Sequence, residues 1–206
     1  GLDPQRARDL GVRELLEAAV FDPTLFVPRQ LELLRLPQNL SLFLEAGFDP
    51  GRAPVFNTSA ELFERYWTAK RRAVRERAGG TDRWMDVIRV LVEEITRSQQ
   101  LSVPRENLDA IDPTYLEQMS SEGVLTFDGR RYGFGHESFF DYCFARTFNA
   151  QQGTLVDRLA SGEQHLFYRS QVHQVLTYLR DAAPVQYLRE LRGILTDARV
   201  LPNSKT

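Results

Sequence analysis

Only one stretch of this chain reads as β structure, and it sits inside a sequence that otherwise repeats apolar residues at helical intervals. Val124-Leu125-Thr126-Phe127 and Arg130-Arg131-Tyr132-Gly133-Phe134 flank Asp128-Gly129, a strong two-residue hairpin turn signal. Ahead of it, Trp84, Val87, Ile88, Leu91 and Ile95 fall on one stripe of a helix, with Thr81 and Asp82 as its cap. Pro104 opens a short helical piece through Leu108, and Asp112-Pro113 opens another that carries Tyr115, Leu116 and Met119 and stops near Gly123. Behind the hairpin, Phe139, Phe140, Cys143, Phe144, Thr147 and Phe148 make the apolar face of a further helix. Three helical pieces, a hairpin and a packing helix predict a winged helix-turn-helix over residues 79–150.

The flanks are helical. Leu10, Val12, Leu15, Leu16 and Ala19 give a first helix around Ala7–Val20, stopped by Asp22-Pro23. Leu25 to Ala46 is interrupted by Pro28 and Pro37. Proline suits a helix's first turn and costs ~3 kcal/mol inside one, so a break is expected at Leu36-Pro37. Gly47–Pro54 is a turn-rich connection. Thr58 or Ser59 caps a helix carrying Leu62, Phe63, Tyr66 and Trp67, which ends at the linker Ala78-Gly79-Gly80. From Gln151 onward three stripes follow: Leu155, Val156 and Leu159; Val172, Val175, Leu176 and Leu179; Val185, Leu188, Leu191 and Leu195. The expected fold is mainly α with one β-hairpin: a helical domain over 1–78, the winged helix over 79–150, and a second helical segment over 151–206, with a repeat-like array as one reading of it.

Charge and cysteine content narrow the functions open to such a fold. A formal net charge of -2 gives no global attraction to nucleic acid or to an anionic membrane. Cys143 is the only cysteine, which excludes an internal disulfide framework and fits a reducing, cytoplasmic setting. No apolar run approaches the ~20 residues of a membrane span. The opening Gly1-Leu2-Asp3-Pro4 lacks both a methionine and a signal-peptide pattern, and reads as a boundary inside a longer protein.

No catalytic motif is present. The chain has no phosphate-binding Gly-x-x-x-x-Gly-Lys-Ser/Thr loop, no His-Glu-x-x-His zinc pair and no Gly-x-Ser-x-Gly nucleophile turn. His165 and His173 lie eight apart, which is not ligand spacing, so no metal site is expected. Cys143 falls on an apolar stripe and reads as a small buried hydrophobe. Lys70-Arg71-Arg72 with Arg75 and Arg77 is interleaved with Glu61, Glu64 and Glu76, and reads as a solvated face with ion pairs. DNA recognition by the winged helix is not expected, because the segment from Asp112 to Glu122 holds Asp112, Glu117 and Glu122 and no Lys or Arg.

His136 stands out. Tyr132, Phe134 and His136 share parity, so a strand extended to His136 would turn all three to one face. His136 also falls at the start of the Phe139–Phe148 helix, where free N–H groups and the helix dipole favour an anion. The ordinary reading of such a histidine is a structural cap. The functional one is a hydrogen bond to a phosphate or carboxylate.

Phe134-Gly135-His136-Glu137-Ser138-Phe139-Phe140-Asp141-Tyr142, following a hairpin, resembles the Phe-x-His-x-Ser-hydrophobic-x-Glu/Asp-hydrophobic signature that closes the winged helix of NACHT and related STAND signalling ATPases. Leu33-Leu34-Arg35-Leu36-Pro37, followed by Leu40 and Leu42, resembles the arginine–hydrophobic–proline segment of their first helical domain. The order of domains matches along nearly the whole chain. The resemblance implies a regulatory and oligomerisation module whose parent binds ADP or ATP. Pro37 would pack against the adenine, and His136 would reach the β-phosphate of ADP and hold the closed state. Its partner would be an upstream nucleotide-binding domain of the same protein, with homo-oligomerisation on activation and room for a protein ligand. No enzyme activity and no tight nucleotide binding are expected of this chain alone, and bacterial defence is a family-level expectation. Two other readings stay open: a winged-helix DNA-binding regulator, and a nucleotide-independent interaction scaffold.

Overall fold

The computed structural model describes residues 11–150, 154–161 and 166–200. Residues 1–10, the expected boundary at Gln151, His165 and the tail from Pro202 lie outside them. The chain packs into two compact units: residues 1–82 with 117–124, and residues 83–116 with 125–206.

The first unit is all-helical. It contains α1 (Val12–Ala18), a 3-10 turn at Pro23–Leu25, α2 (Pro28–Leu34), α3 (Pro37–Glu45) and α4 (Ser59–Arg77). Pro28 and Pro37 each sit in the first turn of their helix, where a missing N–H costs nothing. The core is aromatic: the Phe43 ring lies 4.9 Å from Phe21, 5.4 Å from Phe26 and 4.6 Å from Phe48, the last pair stacked. The connection 47–58 is fastened to it. The buried Gln30 amide donates to the carbonyls of Pro54 (2.8 Å) and Phe56 (3.0 Å), and Arg65 donates to that of Gly47 (3.3 Å). α1 and α4 end in the same left-handed cap closed by two backbone bonds. At α4 glycine takes the position (Gly79, φ +63°), whereas at α1 the exposed Val20 is held there at φ +69°, a strained setting for a β-branched residue.

Two sequence expectations change here. Lys70 is not on a solvated face: it is buried, donating to the Glu122 carbonyl at 2.6 Å and pairing with the Glu45 carboxylate at 2.9 Å. Its basic neighbours do form ion pairs, Arg71 with Asp82 (2.6 Å), Arg72 with Glu76 (3.6 Å) and Arg77 with Glu122. Asp82 is thereby taken up by Arg71. The following helix starts after Arg83 with no side-chain cap.

The second unit contains α5 (Trp84–Ser98), β1 (Ser102–Pro104), a 3-10 turn (Arg105–Leu108), β2 (Leu125–Phe127), β3 (Arg131–Phe134), α7 (Glu137–Ala150), α8 (Leu155–Ser161), α9 (Leu166–Ala182) and α10 (Pro184–Thr196). α6 (Pro113–Ser121) runs across the division. The three strands are antiparallel in the order β1-β3-β2. Val103 and Phe127 both pair with Tyr132, and Leu125 pairs with Phe134. Helix, strand, short helix, helix and hairpin follow one another in the order expected of a winged helix-turn-helix, within a mainly α chain with a small three-stranded antiparallel sheet.

β1 was not expected, since Pro104 reads as a helix start. It is instead the last residue of an edge strand, a position that needs no ladder N–H. The hairpin turn lies one residue further on than its dipeptide suggests. Asp128 N–H bonds to the Arg131 carbonyl, leaving Gly129 and Arg130 as the turn, while the Asp128 carboxylate accepts the N–H groups of Arg130 and Arg131.

The α5 stripe is buried as predicted, and so are Phe139, Phe140, Cys143, Phe144, Thr147 and Phe148 of α7. α7 packs chiefly on α9, α9 on α10, and α10 on α8. The stripe of α10 is the exception. Val185, Leu188 and Leu195 face outward, and the residue it buries is Glu190.

Candidate functional site

The junction of β3 and α7 holds the residues that the sequence singles out. β3 ends at Phe134, and Gly135 and His136 bend away, so His136 is not carried on the strand's face with Tyr132 and Phe134. It caps α7 instead. Its carbonyl accepts the N–H groups of Phe139 (3.1 Å) and Phe140 (3.2 Å), and its half-buried side chain stands at the helix's positive end. That bonding leaves the first-turn N–H groups of Glu137 and Ser138 outside the helix ladder. The Ser138 hydroxyl oxygen is buried and has no hydrogen-bond partner among the described residues. Phe134 braces the junction, its ring 6.1 Å from Phe139 and 5.6 Å from Phe140.

Asp141, one turn along α7, occupies the acidic position of the signature and was not singled out from sequence. Burial raises its pKa to about 6, and the charge of Glu137 adds to the effect. Its carboxylate accepts a hydrogen bond from the Gln174 amide of α9 at 2.9 Å. Beside it the Tyr142 and Tyr178 rings meet edge-on at 5.6 Å, and Arg146 donates to the Tyr142 hydroxyl at 2.6 Å. The acidic signature position therefore ties the last helix of the winged helix to the segment that follows. The i, i+4 pair Glu137/Asp141 was visible in the sequence; the burial of Asp141 was not.

A raised carboxyl pKa is a stability cost at neutral pH. The folded state holds the Asp141 proton to about pH 6, while the unfolded chain releases it near 3.8. The cost is absent below the lower value and grows as pH rises through the upper one. Asp141→Asn keeps an acceptor for Gln174 and removes the charge. Thermal melts near neutral pH should show it more stable than the parent by roughly 1–2 kcal/mol, after allowance for solvent screening of a half-buried group. At about pH 4 the two should melt together. An equal gain at both pH values would mean the carboxylate's ionisation is not the cause.

Pro37 belongs to the first unit. It is exposed in the first turn of α3, beside Leu36 at 51% exposure, so the pair presents an apolar surface. His136 belongs to the second. Cys143 is fully buried, and burial pushes its thiol pKa up, away from reactivity. The carboxylates of the candidate recognition helix are partly engaged: Asp112 accepts the Thr114 N–H at 2.9 Å and Glu122 pairs with Arg77. Glu117 remains exposed, and α6 carries no cation.

No family model, no curated protein and no solved structure matches this chain. Among the described residues, no helix is long and apolar enough to cross a membrane.

Proposed function

We propose that this chain is the regulatory part of a STAND-type, NACHT-like signalling ATPase, in which His136 reads the nucleotide held by a separate nucleotide-binding domain. One observation carries the reading: the Phe134-x-His136-x-Ser138-x-x-Asp141 signature falls at the strand-to-helix junction closing a winged helix, with His136 at the positive end of α7. The donors there suit a phosphate. The imidazole and the first-turn N–H groups can donate, and the helix dipole adds to them. The exposed Leu36-Pro37 surface suits an adenine face. Bound ADP would supply the negative charge that His136 holds; the protein's part is to place that donor and let its loss shift the equilibrium between closed and open states.

The adjoining carboxylates give the contact its sensitivity. Glu137 follows His136 directly and Asp141 lies one turn beyond Glu137, so an anion there meets an acidic neighbourhood. The test is ADP retention by the longer protein that carries the nucleotide-binding domain, with and without His136→Ala. The variant should retain ADP at least ~10-fold more weakly, the worth of one charge-assisted hydrogen bond, and should signal without its trigger. If it retains ADP like the parent and stays quiet, the sensing role is wrong. If the parent binds no nucleotide, the chain is an interaction scaffold. Salt-sensitive DNA binding would instead favour a transcription regulator.

A further inference from the structure

α10 buries a polar anchor beside the half-buried Tyr187, Leu191 and Ile194, and leaves three further hydrophobes on its outer face. Inside, Glu190 is 2% exposed and accepts the Leu155 N–H of α8 at 2.7 Å, while Gly193 lies against Val156 so closely that a methyl group would come within 3.0 Å of it. Outside, Val185, Leu188 and Leu195 are 86%, 64% and 63% exposed.

With Arg192 these residues follow steps of three, four and three, the a-d-a-d seam of a two-helix contact. Other exposed hydrophobes, such as Val20, Val27, Leu36, Val55, Leu101 and Phe127, stand at helix ends, in connections or on the wing. Among the described residues, α10 alone sets three on one helical line. Arg192, in the seam, has no ion-pair or hydrogen-bond partner for its side chain among the described residues. Arg189, at its edge, reaches the buried Glu190 at 3.5 Å. A notch of about 320 Å³, lined by Ala183, Pro184, Val185, Gln186 and Arg189, opens at the seam's N-terminal end and is suited to an anchoring side chain.

From this geometry we infer that the outer face of α10 docks an amphipathic helix of another protein, one with an apolar seam flanked by carboxylates. The seam supplies apolar burial, and the two guanidiniums choose the sign of the partner. A charged residue at a single seam position penalises any helix that cannot place an opposite charge against it. A second copy of α10 is such a helix, since two copies would bring Arg189 and Arg192 against their own kind. The docking face is independent of nucleotide sensing, because it involves neither His136 nor Pro37.

The probes are two designed helical peptides of about three heptads with leucine at a and d, one with glutamate and the other with lysine at e and g; like-charge repulsion keeps each from pairing with itself. Fluorescence anisotropy should show the chain binding the glutamate peptide at least ~10-fold more tightly than the lysine peptide at low salt. Arg189→Glu/Arg192→Glu should reverse that preference, and Leu188→Glu should weaken the glutamate peptide at least ~10-fold. Leu188 and Arg192 face solvent, so Leu188→Glu should melt like the parent. Arg189→Glu also removes the Arg189–Glu190 pair at 3.5 Å, so the double variant is read beside Arg192→Glu alone, which should melt like the parent and already narrow the preference. Equal affinity for both peptides, binding of neither, or an unreversed preference in the double variant would overturn the inference. So would a dimeric parent made monomeric by Leu188→Glu, which would show the seam to be a self-contact.

Discussion

Lys70→Ala should lower the stability of the first unit by about 3 kcal/mol, among the larger effects of a single truncation in this chain. Lys70 reaches from the middle of α4 to two groups distant in sequence. Its ammonium sits 2.9 Å from the Glu45 carboxylate at the end of α3 and 2.6 Å from the Glu122 carbonyl, next to Gly123. Removing it takes the ammonium away from one carboxylate, about a third exposed, and from one carbonyl just past the end of α6. Full burial of both ions would argue for the top of the 3–5 kcal/mol range, and the water reaching Glu45 lowers the figure. The readout is Trp67 fluorescence, since Trp67 is buried in this unit and the other tryptophan, Trp84, lies in the second and can be silenced by Trp84→Phe. Lys70→Ala/Glu45→Ala should cost less than the sum of the single changes, because it leaves no uncompensated charge. Additive losses would show that the pair contributes through packing alone.

The same residue marks where sequence reading stops. Within Lys70-Arg71-Arg72 nothing separates the first cation from the others, because the carbonyl that captures it lies 52 residues away. The apolar stripes of α5 and α7 were legible, since every position on them is buried by neighbours whichever way the chain folds back. Periodicity gave α10 an apolar face as well, but periodicity defines a face without saying what covers it, and here solvent does. β1 was hidden for a different reason: three residues ending in proline show no alternation, and the strand exists only because β3 is there to pair with it. At the candidate site the signature placed His136 at a helix start correctly. It could not show that the strand stops two residues short, or that Asp141 is the residue whose titration burial alters.

A large effect from a single polar group in the second unit is expected of Glu190→Ala, about 2–3 kcal/mol, the cost of losing a charge-assisted hydrogen bond and stranding the N–H it satisfied. α8 begins at Leu155 with its N–H pointing at the Glu190 carboxylate, 2.7 Å away, while Thr154 caps the third residue through its hydroxyl. A negative side chain at a helix's positive end is favourable in itself. Here it also joins α8 to α10 across 35 residues of chain in a site where water does not compete. Glu190→Gln keeps an acceptor oxygen but not the charge and should recover more than half of the loss; Glu190→Leu fills the space without an acceptor and should not. The melts are followed through Trp84, which is buried in this unit. If leucine rescues as well as glutamine, the site needs volume and not an acceptor. If neither change is felt, the carboxylate does not hold the two helices together, and the docking seam on the far side of α10 rests on apolar packing alone.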